Sequence, residues 1–132
     1  GRQALAPQAA PRRRILVGDD NVDFATRLAH LLVSLGHQVV IAHDGEEALA
    51  MAEQHAPEVA FLDIGMPKRN GYELATALRE RADADALLLV AITGWGQARD
   101  RELARAAGFD HHLVKPIELQ QILSLVGAHQ PL

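Results

Sequence analysis

Two rhythms of apolar and polar positions alternate along this chain. Short segments without helical period, Ile15-Leu16-Val17, Gln38 to Ala42, Val59 to Leu62, Ala86 to Ile92 and Asp110 to Val114, are separated by longer stretches in which apolar side chains recur every three or four positions. The short segments suit buried strands and the longer ones amphipathic helices. The first helical stretch carries Phe24, Leu28, Leu31, Leu32 and Leu35 and is closed by Gly36. The second follows the turn Asp44-Gly45, with Asp44 as its N-cap, and shows a small apolar face of Ala48, Leu49 and Ala52 before Pro57. The third spans Tyr72 to Arg81 with Leu74, Ala75 and Leu78 inward, and ends at a polar break from Asp83 to Asp85. The fourth, charged and alanine-rich, runs from about Gln97 to Ala107 and is capped by Gly108. The last runs from Ile117 to about Val126 with a stripe of Leu119, Ile122, Leu123 and Val126. Five strands alternating with five helices predict an α/β fold, a parallel sheet covered on both faces by right-handed crossovers.

Composition narrows the picture. At 132 residues the chain fits one domain with one core, and with 48% hydrophobic but 4% aromatic residues that core must be aliphatic. The absence of cysteine excludes disulfides, thiolate zinc sites and a cysteine nucleophile. No run of about 18 apolar residues is present, so no membrane contact is expected of this domain. A net charge of -4 argues against nucleic acid as a direct partner. The triplet Arg12-Arg13-Arg14 reads as a solvated lead-in to the first strand, because no other basic or aromatic residues cluster near it. Residues 1–11 lack periodicity and carry two prolines, which reads as a linker or the remnant of a tag. Gly1 is no natural start, so the chain is expected to be a piece of a longer protein. The folded domain is expected over residues 13–127, between a leader of residues 1–12 and a tail of residues 128–132.

The chemistry lies in how the strands end. Strand one ends in Asp19-Asp20, strand three in Asp63, strand four in Thr93 and strand five in Lys115. In a parallel sheet these ends share one edge, the edge where open α/β sheets bind ligands. Taken singly, Asp63 could solvate a strand end, Asp20 or Asn21 could cap the first helix, Thr93 could close a turn and Lys115 could lie on the surface. Together they aim three carboxylates, a hydroxyl and an amine at one place. Three clustered carboxylates stay ionised only beside a cation. Oxygen ligands without His or Cys suit Mg²⁺, and an aspartate beside Mg²⁺, a lysine and a hydroxyl is an arrangement for accepting a phosphoryl group covalently.

These residues carry a resemblance. Asp19-Asp20, Asp63-Ile64-Gly65-Met66-Pro67, Asn70-Gly71-Tyr72-Glu73, Ile92-Thr93-Gly94, and Gly108-Phe109-Asp110 leading to Lys115-Pro116 resemble the receiver domain of two-component response regulators, over about residues 13 to 127. The resemblance implies a flavodoxin-like doubly wound sheet in strand order 2-1-3-4-5. It implies Asp63 as the phosphoacceptor, Asp20 as a direct Mg²⁺ ligand with Asp19 assisting, and the Gly65 carbonyl completing the metal site. Thr93 would contact the phosphoryl oxygen and act as the switch. Lys115 would pair with the phosphoryl group, or with Asp63 when that is empty, and the Lys115-Pro116 bond is expected to be cis. The donor would be a phosphohistidine on a histidine kinase or histidine phosphotransfer domain. The domain would be a cytoplasmic signalling switch with self-limited phosphotransfer and autodephosphorylation, not a turnover enzyme. Its output face would be helix four, strand five and helix five, including Arg99, Arg101, Arg105 and Ile117 to Leu125, a face that is also a candidate for weak dimerisation.

The sequence departs from the family's common pattern at Gly18, where little consequence is expected, and at His112, a switch position where the family usually has Tyr or Phe. A half-exposed strand histidine is the plain alternative for His112, with His111 on the opposite face. Trp95 is expected to overhang the site and slow loss of the phosphoryl group. His30, His37, His43, His55 and His129 are expected on the surface. With a linker-like segment before the domain and little after it, the chain is expected to be the receiver of a hybrid sensor histidine kinase, a free-standing single-domain regulator being the alternative. Two further classes are weighed. A Mg²⁺-dependent aspartyl phosphohydrolase needs a carboxylate two residues after its nucleophile, where this chain has Gly65, and a degenerate receiver has lost an acidic or lysine position, none of which is missing here.

Overall fold

The computed structural model describes residues 12–81, 86–94 and 98–128, with the side chains of residues 98–100 and 128 outside that description. The elements run in order β1 (Arg14–Gly18), α1 (Val22–Ser34), β2 (Gln38–Ala42), α2 (Gly45–His55), β3 (Val59–Asp63), α3 (Gly71–Arg79), β4 (Leu88–Thr93), α4 (Ala98–Ala107), β5 (His111–Val114) and α5 (Leu119–Ala128). All pairings are parallel and the sheet order is β2-β1-β3-β4-β5, the expected 2-1-3-4-5. The leader over residues 1–11 and the tail from residue 129, His129 included, lie outside the described residues.

The pleat divides the strand residues between two cores. Leu16, Ala60, Leu62, Leu89 and Ala91 face α2, α3 and α4, where Ala48, Ala52, Leu74, Leu78 and Ala104 meet them. Ile15, Val17, Phe61, Val90 and Ile92 face α1 and α5, against Leu28, Leu32, Ile122 and Val126. The core is aliphatic as composition requires, Phe61 being the one large fully buried aromatic among the described residues. Helix starts follow local chemistry. Asn21, Asp44 and Asn70 each accept a backbone N–H from three residues on, and Asn70 forms a reciprocal capping box with Glu73.

Polar contacts between distant segments change three expectations. Arg13 is buried rather than solvated: its Nε donates to the Val126 carbonyl at 2.7 Å and its backbone N–H to His37 Nδ1 at 3.1 Å. His37 is accordingly buried and not at the surface, and burial, with the Arg13 charge beside it, pushes its pKa down. The strand expected from Ala86 begins at Leu88, because the Leu87 carbonyl accepts from Arg79 Nη1 at 2.7 Å instead of joining a ladder.

Arg79 also donates through Nε to the Gly108 carbonyl at 2.8 Å and through Nη2 to Asp110 Oδ2 at 2.6 Å, while Asp110 Oδ2 accepts the Leu89 N–H at 2.8 Å. One guanidinium thus ties the end of α3 to the starts of β4 and β5. Arg79→Ala is expected to lower stability by about 2–3 kcal/mol, since it leaves a carboxylate and two carbonyls short of donors. Arg79→Lys should recover only part, because a single ammonium lacks the planar fork. Urea midpoints of the three proteins check this.

Candidate functional site

Each site residue sits where a strand gives way to a loop at one rim. After β1, the Asp19 N–H donates to the Ala42 carbonyl at 3.0 Å, and Asn21 turns the chain into α1 by accepting the Phe24 N–H at 3.0 Å. Asn21, rather than Asp20, is therefore the helix cap, and Asp20 is left exposed and available. After β3, the Ile64 N–H reaches the Ile92 carbonyl at 3.1 Å and the Gly71 N–H returns to the Ile64 carbonyl at 2.8 Å. That closes the loop carrying Gly65 tightly on Asp63. The Lys115 N–H donates to the Thr93 carbonyl at 2.8 Å, so the ends of β4 and β5 are side by side, and the Lys115-Pro116 bond is cis as expected.

The geometry gathers the acidic residues. Asp19, Asp20 and Asp63 each present a carboxylate oxygen within 4.8 Å of the other two. Asp19 is fully buried, with Oδ1 accepting the Asn21 N–H at 2.9 Å. Lys115 Nζ lies 2.9 Å from Asp19 Oδ2, as an ion pair rather than an aligned hydrogen bond, and sits 4.3 Å from the centre of the Phe24 ring. The expected pairing of Lys115 with Asp63 is thus corrected to Asp19. The buried carboxylate has the least solvent to stabilise its charge and draws the ammonium most strongly, while Asp63 Oδ1 accepts the Gly65 N–H at 3.1 Å.

Burial pushes the Asp63 carboxyl up to about 6; the Asp19 charge and a hydrogen bond with Asp20 add to the rise, and the Gly65 N–H and Lys115 oppose it. Three carboxylates so placed, with one ammonium in contact among the described residues, remain short of positive charge. An all-oxygen donor set with one well exposed member fits a small hard cation such as Mg²⁺.

Thr93 ends β4 half-buried. His112 is opposite Ala91 in the sheet register and half-buried, so the pleat places it on the same face as Thr93, whereas His111 is exposed on the other. Trp95 lies outside the described residues, as does the side chain of Arg99. Two contributors were not anticipated. Phe24 supplies the ring beneath Lys115. His43, expected on the surface, is half-buried with Nδ1 2.9 Å from the Asp19 carbonyl; its place directly after β2, at the same sheet edge, was the available clue.

Comparison with known proteins agrees with this geometry. The profile of the response regulator receiver domain family matches residues 15–127. Protein PilH of Pseudomonas aeruginosa is 31% identical over 115 residues, covering 87% of this chain and 95% of PilH. The virulence sensor protein BvgS of Bordetella bronchiseptica is 39% identical over 124 residues, covering 86% of this chain but 10% of that sensor. Among solved structures, the receiver domain of a Pseudomonas aeruginosa sensor histidine kinase, with magnesium coordinated in its active-site cleft, superposes with a TM-score of 0.78 at 28% identity, covering 89% of this chain and 99% of that one. Sequence, fold and the carboxylate rim coincide, and the chain belongs to the response regulator receiver domain family of two-component signalling.

Proposed function

We propose that Asp63 accepts a phosphoryl group from a phosphohistidine on a histidine kinase or phosphotransfer partner, and that the domain switches conformation as a result. The observation that carries this reading is the convergence of three carboxylates within 4.8 Å, with Lys115 against one of them, at the C-terminal rim of the sheet. The Gly65 N–H holds Asp63 Oδ1, which leaves Oδ2 to attack phosphorus; the P–N bond breaks and its electron pair stays on the imidazole of the donor. Asp20 and Asp63, with the Gly65 carbonyl and with Asp19 assisting, would hold Mg²⁺. Bound there, the cation would neutralise charge on the phosphoryl oxygens. Lys115 would move from Asp19 toward the phosphoryl group, and the Thr93 hydroxyl would contact one of its oxygens. His112, on the same sheet face as Thr93, is the residue through which that shift would reach the output face.

That face is α4, β5 and α5, where Leu103, Leu119 and Leu123 are exposed at 47%, 50% and 43% beside exposed Arg101 and Arg105; it would also serve weak dimerisation. The likeness to BvgS supports a hybrid sensor kinase as the parent. A free-standing regulator like PilH is the alternative, separated by reading the gene upstream of Gly1. Among the described residues no helix is long and apolar enough to cross a membrane, and a cytoplasmic site of action belongs to the same reading. Turnover as a phosphohydrolase is not favoured, because Gly65 stands where an acid–base carboxylate would be needed. Incubation with acetyl phosphate and Mg²⁺ followed by intact mass measurement tests the proposal. The gain of one phosphoryl group is expected, and an unchanged mass would overturn it.

A further inference from the structure

We infer that His43 is a positioning residue for Asp20, and so sets the affinity of the acidic rim for Mg²⁺; this rests on Asp20 being a direct metal ligand, as proposed above. Asp19 is wholly buried, and each of its polar atoms has a partner. Its N–H donates to the Ala42 carbonyl, Oδ1 accepts from Asn21 and Oδ2 faces Lys115. Its carbonyl oxygen has His43 Nδ1 at 2.9 Å. A carbonyl can only accept, so His43 carries the proton on Nδ1 and donates it.

That carbonyl belongs to the peptide plane joining Asp19 to Asp20. The plane is rigid, so holding its oxygen also holds the nitrogen from which Asp20 departs. Without the imidazole donor, a buried carbonyl would lose its partner, and the plane would turn to find another. The turn would re-aim the Asp20 carboxylate, the exposed member of the cluster. His43 is itself anchored, its backbone N–H donating to Glu47 Oε1 at 2.7 Å, one residue before the Asp44 cap of α2. The same corner reaches the opposite side of the rim, where the Gly45 N–H donates to the Pro67 carbonyl at 3.1 Å and Lys68 Nζ lies 3.5 Å from Asp44 Oδ2. The β2–α2 corner therefore braces both loops that bear the carboxylates, and His43 is its contact with the acidic pair.

The test is a Mg²⁺ titration by calorimetry on the parent, His43→Phe, His43→Ala and His43→Asn, with hydrogen exchange at the Asn21 amide in metal-free protein. Phe keeps the ring's bulk but lacks the donor, and Asn returns an N–H at the same distance along the side chain. Loss of an orienting partner commonly weakens metal binding about tenfold or more. That loss is expected in the Phe and Ala variants, with faster exchange at Asn21, whose N–H reports the Asp19 side chain. Asn should restore binding to within about threefold, a rescue that mere filling of space would not produce. Where Ala fails to fold, Phe decides. Parent-like affinity and exchange in the donorless variants overturn the assignment of His43 alone, as does failure of Asn to rescue. A parent that binds no Mg²⁺ overturns it together with the proposed metal site.

Discussion

Asp63→Asn is expected to take up no phosphoryl group from acetyl phosphate and to melt at a higher temperature than the parent. The first outcome follows from chemistry, since a neutral amide cannot serve as the nucleophile. The second follows from what the site costs the fold. The Asp63 carboxyl titrates at about 6 in the folded protein against an ordinary 3.8, so the folded state holds this proton more tightly than the unfolded chain does. Below the ordinary value both states are protonated and nothing is lost. The penalty grows as pH rises from 3.8 to about 6 and is complete above that. Fully shielded, the difference would correspond to about 3 kcal/mol. Asp63 is only half-buried, and screening by solvent reduces it to about 1–2 kcal/mol. A domain of this size should then gain about 4–8 °C in Tm at neutral pH, and the gain should vanish near pH 4. Mg²⁺ should act in the opposite sense, raising the Tm of the parent and leaving Asp63→Asn nearly unmoved. Thermal melts at the two pH values, with and without Mg²⁺, check both signs; a variant less stable than the parent at neutral pH would contradict the account.

Gly45→Ala should act in the opposite sense on stability and lower it, against what helix propensity suggests. Gly45 is the first residue of α2, where alanine is intrinsically better by about 1 kcal/mol. A β-carbon built there would lie 1.8 Å from the Arg69 carbonyl oxygen and 2.5 Å from Arg69 Cβ. Because the nearer obstacle is backbone, no rotamer relieves it; either α2 or the loop after Asp63 must shift. The clash outweighs propensity, and a net loss of about 3 kcal/mol is expected. Phosphoryl uptake should fall as well, since the displaced loop carries Gly65, which holds Asp63. A urea midpoint at or above that of the parent would show that the two elements are less tightly apposed than the distances state.

Much of this architecture can be read from residue order. Each strand appears as a short apolar segment, and the endings of four of them on Asp, Thr or Lys show which residues share the rim, because a parallel sheet aligns all such ends. Helix starts at Asn21, Asp44 and Asn70 are legible for the same reason: the cap and its partner lie three residues apart. What escapes is polar pairing across long separations. Arg13 with Val126, Arg79 with Asp110 and His43 with Asp19 are joined only by the packing of the finished fold, and nothing in the local sequence of either partner points to the other. The choice of Lys115 between Asp19 and Asp63 is likewise a matter of relative burial, which no spacing reveals. The left-handed close of α2 at Ala56 escaped too, because that conformation normally announces itself with glycine.

The seating of Lys115 has a temporal side. Among the described residues β5 is a four-residue margin of the sheet, with β4 as its single neighbour, whereas Asp19 and Asp63 issue from interior strands. Margins of this kind fray far more often than whole domains unfold. Each such excursion would carry the ammonium away and leave the acids in place. The ammonium would then be the component of the rim most often withdrawn and restored, since the three acids issue from interior strands.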